Sequence, residues 1–266
     1  MPKNIFELKT VQGSAFKGLC EAKKEILTEA NFECDKTGIR VVQMDSTHTV
    51  LVHLKLEADS FESYICEDKL VLGVSMINLF KLVKTIGNSD ILVLYVEENN
   101  KCVLGIRIEN SDKHSVTNFK LHLLDLNDNT FNIPPTVFPN ILTMPSIDFQ
   151  KLCRDMQQLT ELVEIKSLDQ QLVFSGKGDF ADQETVLHET AGGVSYLKNE
   201  EPSNIIQGKF SLKHLVLFTK CTPLCQSIKI YLKNDYPIII EYSVASLGTI
   251  KLCLAPKIEE NNVPPM

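Results

Sequence analysis

The chain has 266 residues, of which 44% are apolar, and its formal net charge is −7. This length suits one large domain or two of ordinary size, and the apolar content excludes a disordered chain. The acidic balance taken alone argues against a nucleic-acid binder, but net charge is a sum, and one face of an acidic protein can still be basic.

The N-terminal segment and the cysteines indicate a reducing compartment. The first ten residues, MPKNIFELKT, lack the apolar segment of a signal peptide, and no stretch is long and apolar enough to span a membrane. The eight cysteines form no convincing zinc-binding pattern, and several lie in apolar runs. We therefore expect reduced thiols, no metal and no cofactor.

Four segments have helical periodicity with one apolar face. Their apolar stripes consist of Phe16, Leu19, Cys20 and Leu27; of Leu79, Leu82, Val83 and Ile86; of Phe149, Leu152, Cys153 and Met156; and of Leu212, Leu215, Val216 and Phe218. A serine stands ahead of each segment, and serine is a favoured N-cap residue. The predicted N-caps are Ser14, Ser75, Ser146 and Ser211.

Most of the remaining chain alternates apolar and polar residues, as CVLGIRI at 102–108 and IKIYLK at 228–233 illustrate. Short turns between these runs favour antiparallel meanders. The helix start FKGLC at 16–20 recurs as FQKLC at 149–153, and each half of the chain has two helices among strands. The sequence therefore predicts an α+β fold with two similar domains of antiparallel sheet and two helices each.

The boundary between the two copies is predicted from composition. Residues 126–145, LNDNTFNIPPTVFPNILTMP, hold four prolines and four asparagines and have no clear periodicity. Proline lacks an amide donor and disfavours helix, so this stretch is predicted to be an extended connector. We expect an N-terminal domain at 1–125 and a C-terminal domain at 146–266.

Cations concentrate on the polar faces of the four predicted helices. Nine of the 27 Lys and Arg residues lie there: Lys17, Lys23, Lys24, Lys81, Lys84, Lys151, Arg154, Lys213 and Lys220. Any one helix could simply have a solvated face, but all four favour positive charge in an acidic protein. Helices on a common side of the sheets would form a basic surface that binds phosphate without reading base sequence.

Several motifs in one register strongly resemble the eukaryotic sliding clamp family, proliferating cell nuclear antigen. They include QMDSTHTVLV at 43–52, FNIP at 131–134, FTKCTPL at 218–224, DYPIIIEY at 235–242 and LAPKIEE at 254–260. The resemblance implies the DNA clamp fold and a ring-forming homotrimer around double-stranded DNA, with the helix cations toward the duplex. The positions that match the family's DNA-facing residues are Lys17, Lys24, Lys81, Lys84, Lys151, Arg154, Lys213 and Lys220, and the helix pattern adds Lys23 to them. Gly18 stands where relatives often have another lysine.

The same resemblance implies a groove for peptides of DNA polymerase and other replication and repair proteins, and a clamp loader as a further partner. The matching groove positions are Met44, Thr49, Phe131, Ile133, Pro134, Pro237, Cys253, Ala255 and Pro256. Thr49 and Cys253 are smaller than the Val and Tyr familiar there. Apolar anchors in a preformed groove are a common mode of peptide recognition.

Ring closure implies edge strands that pair between subunits. The matching segments run from Val116 to Leu121 and from Phe180 to Leu187, with Val116, Phe119, Leu121, Phe180 and Leu187 as interface residues. Ala181 and Gln183 replace usual glycines in the second segment. The lysine that relatives modify with ubiquitin aligns with Asp169, and Lys166 is only its neighbour.

Three other readings remain open. Asp45, Ser46 and His48 could suggest catalysis, but the sequence supplies no further motif, and we expect no enzyme. The chain could instead be a subunit of a heterotrimeric clamp, or a monomeric processivity factor held on DNA by charge. We expect it to act in the nucleus, or at a viral replication site if this diverged member is virus-encoded.

Overall fold

The computed structural model describes residues 3–126, 135–200 and 203–257. By its internal contacts the chain divides into two compact units. Unit 1 holds the described residues up to 126 together with 223–225 and 242–251. Unit 2 holds the described residues 135–222, 226–241 and 252–257. Phe131, Ile133 and Pro134, three of the predicted groove residues, lie outside the described residues.

The first half of the chain forms two helices and a series of antiparallel strands. The helices are α1 (Gly13–Ile26) and α2 (Met76–Val83). The strands are β1 (Asn4–Thr10), β2 (Glu29–Asp35), β3 (Gly38–Met44), β4 (Val50–Glu57), β5 (Ser63–Cys66), β6 (Leu70–Ser75), β7 (Asp90–Glu97), β8 (Asn100–Asn110) and β9 (Ser115–His122). One sheet has the order β5-β1-β7-β8-β9, and β4-β3-β2-β6 are also consecutive neighbours.

The second half of the chain has its own helices, α3 (Ser146–Gln157) and α4 (Leu212–Phe218). Its strands are β10 (Asn140–Pro145), β11 (Leu162–Leu168), β12 (Gln171–Lys177), β13 (Asp182–His188), β14 (Ser195–Asn199), β15 (Ile206–Ser211), β16 (Ser227–Leu232), β17 (Ile238–Val244) and β18 (Gly248–Leu254). One sheet has the order β13-β12-β11-β15, and β14-β10-β16-β17-β18 are consecutive neighbours.

Both halves place these helices and strands in the same sequence order: one strand, a helix, five strands, a helix and three strands. FKGLC lies in α1 and FQKLC in α3, the first helix of each half. The predicted α+β duplication is therefore confirmed. The prolines of the predicted connector did not reveal that its last six residues, 140–145, form β10, which pairs with β14 and β16.

The apolar stripes form the core beneath the helices. Phe16 and Leu19 of α1 and Phe149 and Cys153 of α3 are buried, as the periodicity predicted. Ile86 is buried as well, although α2 ends before it. Burying such apolar side chains is the main favourable contribution to folding.

Only part of the N-cap prediction is correct. The hydroxyl of Ser75 accepts a 3.4 Å hydrogen bond from the amide of Asn78 at the start of α2. Ser211 occupies the N-cap of α4 without a side-chain cap bond. Ser14 and Ser146 were wrong, since both lie inside their helices, after Gln12 and Pro145. The Ser146 hydroxyl instead donates to the Gln226 carbonyl at 3.2 Å.

Candidate nucleic-acid interface and partner surfaces

Six of the predicted cations have exposed side chains. They are Lys81 and Lys84 at the end of α2, Lys151 and Arg154 on α3, Lys213 on α4, and Lys220 in the 3-10 turn that follows α4. Lys81 donates to the Asn78 side chain at 3.4 Å. Lys84 follows Lys81, and Arg154 follows Lys151, by three residues, so each pair shares one helix face. These cations are accessible to a polyanion.

Lys17 and Lys24 of α1 contact other groups of the same chain through their ammonium groups. The Lys17 ammonium donates to the carbonyl of Ile86 at 2.5 Å, beyond the end of α2. A hydrogen bond from an ammonium to a carbonyl oxygen is charge-assisted and therefore stronger than one between neutral groups. The Lys24 ammonium lies 4.5 Å from the centroid of the Phe80 ring and 3.0 Å from a Glu25 carboxylate oxygen. Both side chains are half-buried.

Lys23 was wrongly assigned to the exposed cationic face. Its side chain is fully buried, with a relative exposure of 0%, and its ammonium lies 4.8 Å from the centroid of the Phe32 ring. The reason is helical spacing, because Lys23 comes four residues after Leu19 and seven after Phe16 and so lies on the apolar stripe. The spacing of Lys23 predicts burial, whereas its charge predicts exposure, and the structure follows the spacing.

Met44 and Thr49 of the predicted groove flank a tight turn between β3 and β4, and both are half-buried. Asp45 organises this turn. Its carboxylate accepts hydrogen bonds from the Thr49 and Val50 amides at 2.9 and 2.8 Å, and from the Thr47 hydroxyl. Partial burial alone would raise the pKa of Asp45, but these hydrogen bonds outweigh it and lower the pKa.

Asp45, Ser46 and His48 lie in the turn between β3 and β4. His48 is exposed with a φ of 54°, and its amide donates to the Asp45 carbonyl at 3.0 Å.

Burial raises the pKa of the Cys20 thiol to about 12, which leaves this cysteine a poor nucleophile. Within the described residues, no group of three or more His, Cys, Asp or Glu side chains could hold a metal ion.

The remaining groove positions lie in unit 2. Pro237 precedes β17, Cys253 lies in β18, and Ala255 and Pro256 follow β18. Ala255 is exposed and the other three are half-buried.

Across 3–126, 135–200 and 203–257, no helix has the length and apolarity to cross a membrane. None of the eight cysteines, all within those ranges, forms a disulfide.

An aromatic cluster fixes the end of the predicted connector within unit 2, which sequence periodicity did not reveal. The Phe138 ring contacts Tyr231 and Tyr236 edge to face, each at 5.5 Å between centroids. The Thr136 hydroxyl lies 2.9 Å from the Tyr236 hydroxyl. The Tyr231 hydroxyl donates to Glu241 at 2.7 Å. The pKa of Tyr231 is raised, mainly by burial and to a smaller extent by the Glu241 carboxylate.

The two predicted interface segments both lie at sheet edges. β9 is the last strand of one sheet in unit 1, and β13 is the last strand of another in unit 2. In the first segment Val116 is 59% exposed, Phe119 is half-buried and Leu121 is buried. In the second, Phe180 is 77% exposed and Leu187 is half-buried. Lys166 lies in β11, and Asp169 lies in the turn that follows this strand, with a φ of 47°.

Two α+β halves of the same construction, with exposed cations on their helices, define a protein with the DNA clamp fold. Residues 5–130 match the family model for the N-terminal domain of proliferating cell nuclear antigen, and residues 132–257 match the model for its C-terminal domain. A similar protein is the probable DNA polymerase sliding clamp 1 of Paramecium bursaria Chlorella virus 1. It is 34% identical over 256 residues, covering 95% of this chain and 97% of the relative.

The chain belongs to the proliferating cell nuclear antigen family. It is a DNA sliding clamp that acts as a polymerase processivity factor in DNA replication.

Proposed function

We propose that three copies of this chain close into a ring around double-stranded DNA and so hold a polymerase on its template. Two of the strands that end a sheet, β9 and β13, support this proposal. They differ from one another, so pairing one with the other joins copies head to tail. Head-to-tail contacts form a closed ring when the rotations between successive copies add up to one full turn.

The exposed cations of α2, α3 and α4 would contact the phosphates of the enclosed duplex. Such contacts carry no base information, and each can be exchanged for the next along the DNA at little cost. The ring, rather than affinity, then retains the protein on DNA while it slides. Lys17 and Lys24 would contribute less, because their ammonium groups already interact with Ile86 and with Phe80 and Glu25.

We further infer that the chain is not an enzyme and that a clamp loader places it on DNA. The turn built by Asp45 supports the first point, because its hydrogen bonds serve the backbone. The similarity to a viral sliding clamp supports a virus-encoded protein that acts at a viral replication site, with the nucleus as the alternative location. The domain boundaries proposed from the sequence are 1–125 and 146–266, with a connector between them.

Partner proteins, DNA polymerase and repair proteins among them, would dock a peptide with apolar and aromatic anchors at the predicted groove. Ile133→Ser should weaken binding of such a fluorescent peptide about tenfold, since removing one apolar contact with the peptide costs roughly 1.4 kcal/mol. Val137→Ser, which removes a 69% exposed connector residue outside the groove set, is the matched control. Equal affinities of the two variants would move the peptide site elsewhere.

Encirclement is tested on linear DNA whose two ends can be blocked. The protein is first allowed to thread onto the duplex, streptavidin then closes both biotinylated ends, and the bound fraction is followed in high salt. We expect a particle near three times 29.9 kDa that stays on the blocked DNA and leaves when a nuclease cuts it. A charge-held monomer would dissociate in salt whether the ends are blocked or open. A chain that assembles only with a second gene product would indicate a heterotrimer.

A further inference from the structure

We propose a specific register for the contact between copies, in which Lys120 of β9 in one copy pairs with Asp182 of β13 in the next. The proposal rests on the proposed ring, in which these two edges meet. In this register an ion pair forms beside a row of valines at the contact between copies. We therefore expect assembly to weaken at high salt concentration and to depend on which charges stand at these two positions.

The burial pattern determines which side chains of each edge strand share a face. In β9, Leu121 is buried and Phe119 half-buried, so Val116, Asn118 and Lys120 lie on the opposite, outer face. In β13, Leu187 and Thr185 are half-buried and lie opposite the buried Leu172 and Phe174 of β12. The outer face of β13 therefore carries Asp182, Glu184, Val186 and His188.

An antiparallel pairing continues the arrangement of these sheets, in which β9 is antiparallel to β8 and β13 to β12. Outer residues must face outer residues, so the register can change only in steps of two. One register places Val116, 59% exposed, opposite Val186, 39% exposed. Val186 already stands opposite Val173 on β12, so the contact would complete a row of three valines.

The register that aligns the valines also aligns opposite charges. Lys120 lies four residues after Val116, and Asp182 lies four residues before Val186, so in antiparallel strands the two face each other. Both side chains are exposed in the single chain. Asp182 also stands opposite Lys177 of its own copy, so the carboxylate would lie between two ammonium groups.

The two edge strands themselves differ in charge. β9 reads SVTNFKLH and contains no carboxylate. Beside β13 an open concavity is lined by five acidic residues and three lysines, with Asp179, Asp182 and Glu184 nearest the edge. A second copy of this chain presenting β9 therefore fits the edge in charge as well as in exposed apolar surface.

In the competing register β13 is shifted by two residues, so that Lys120 lies opposite Glu184. It provides an ion pair as well, but it sets Val116 opposite His188 and Val186 opposite Asn118. Both valines would then face polar side chains, and the row with Val173 would be lost. Apolar cross-strand pairs stabilise a sheet and polar mismatches do not, which favours the register with Asp182.

The test uses charge reversal and dilution. Lys120→Asp and Asp182→Lys should each lower the stability of the assembled ring, measured as the protein concentration at which light scattering shows half dissociation. An exposed ion pair changes a pairing constant roughly threefold, and three contacts per ring multiply this to about thirtyfold in the assembly constant. Circular dichroism of each variant checks that the single chain remains folded, as the exposure of both residues leads us to expect.

The double variant Lys120→Asp with Asp182→Lys should assemble better than either single variant, although not fully, because the new ammonium stands opposite Lys177 of its own copy. Lys120→Asp with Glu184→Lys is the matched control and should recover less. Equal or better recovery with Glu184→Lys would overturn the proposed register. A wild-type chain that stays monomeric at all concentrations would instead overturn the proposed ring. Wild-type assembly with no recovery in either double variant would leave the ring intact and exclude the ion pair.

Mixing the two single variants adds a count of subunits. Each variant complements the other at both of its edges, so a ring with an even number of copies could alternate them at every contact. A ring of three cannot alternate, and one like-charge contact must remain. We therefore expect the mixture to assemble less well than the double variant, and full recovery in the mixture would contradict three copies.

Discussion

The first helices of the two halves, α1 and α3, share a core pattern but differ in what their polar faces do. Phe16 and Cys20 of α1 correspond to Phe149 and Cys153 of α3, and all four side chains are buried. The positions that carry Lys151 and Arg154 on α3 are occupied on α1 by Gly18 and Glu21. The repeat therefore preserves the packing of the helix without preserving its exposed charges.

Two cations of α1, Lys17 and Lys23, occupy positions with structural roles in the other half. Lys23 corresponds to Met156, which is fully buried, so the repeat itself places Lys23 in the core. Lys17 corresponds to Gln150, whose side-chain amide donates to the Thr219 carbonyl at 3.0 Å after α4. Lys17 makes the equivalent bond to Ile86 after α2. Comparing the halves thus separates cations that hold the fold from cations that are accessible to DNA.

The largest expected effect that tests this comparison is on stability at position 23. Lys23→Glu should lower the free energy of unfolding by about 3 kcal/mol or more, because it buries a carboxylate where an ammonium lies near the Phe32 ring. Lys23→Met, which copies the residue of the other half, should be far less harmful. Lys151→Glu makes the same charge change on the exposed face of α3 and should stay within about 0.5 kcal/mol. Urea denaturation measures all three, and similar losses for both Glu variants would refute the assignment of Lys23 to the core.

Much of the fold could be predicted because periodicity and repetition report burial directly. The four apolar stripes and the α+β repeat followed from spacing alone. The predictions failed where a side chain had two competing uses. The charge of Lys23 predicts exposure although its spacing matches the core. Serine is a favoured cap, but α1 begins at Gly13 and α3 at Ser146, so Ser14 and Ser146 lie inside their helices and the N-caps are Gln12 and Pro145.

The candidate surfaces were less predictable for a different reason. Whether a lysine is available to DNA depends on contacts distant in sequence, such as that between Lys17 and Ile86, and helical spacing carries no information on them. The same holds for the cluster that fixes Phe138, since Tyr231 and Tyr236 lie 93 and 98 residues further along the chain. The edge positions of β9 and β13 came from the family resemblance, and residue patterns alone would not have identified them.

A smaller expected effect concerns DNA binding by the two helices. Lys151→Ala with Arg154→Ala should lower the affinity for duplex DNA and make the slope of log affinity against log salt less steep. Each phosphate contact contributes about 0.9 to that slope, so the loss of one contact is measurable. Lys17→Ala with Lys24→Ala removes the same number of charges but should change the slope less, because both ammonium groups already have protein partners. Fluorescence anisotropy at several salt concentrations compares the two double variants.

The reciprocal change on α1 distinguishes position from total charge. Glu21→Arg installs on α1 the cation that α3 has at Arg154, at a residue that is exposed in the structure. It should steepen the salt dependence of DNA binding. Glu98→Arg makes the same charge change at an exposed residue in the turn between β7 and β8, outside the helices, and should leave that dependence nearly unchanged. Equal slopes for the two variants would mean that overall charge, rather than the helix face, governs the interaction with DNA. A steeper slope for Glu21→Arg alone would identify the outer face of α1 as a DNA-accessible surface that the native sequence leaves weakly charged.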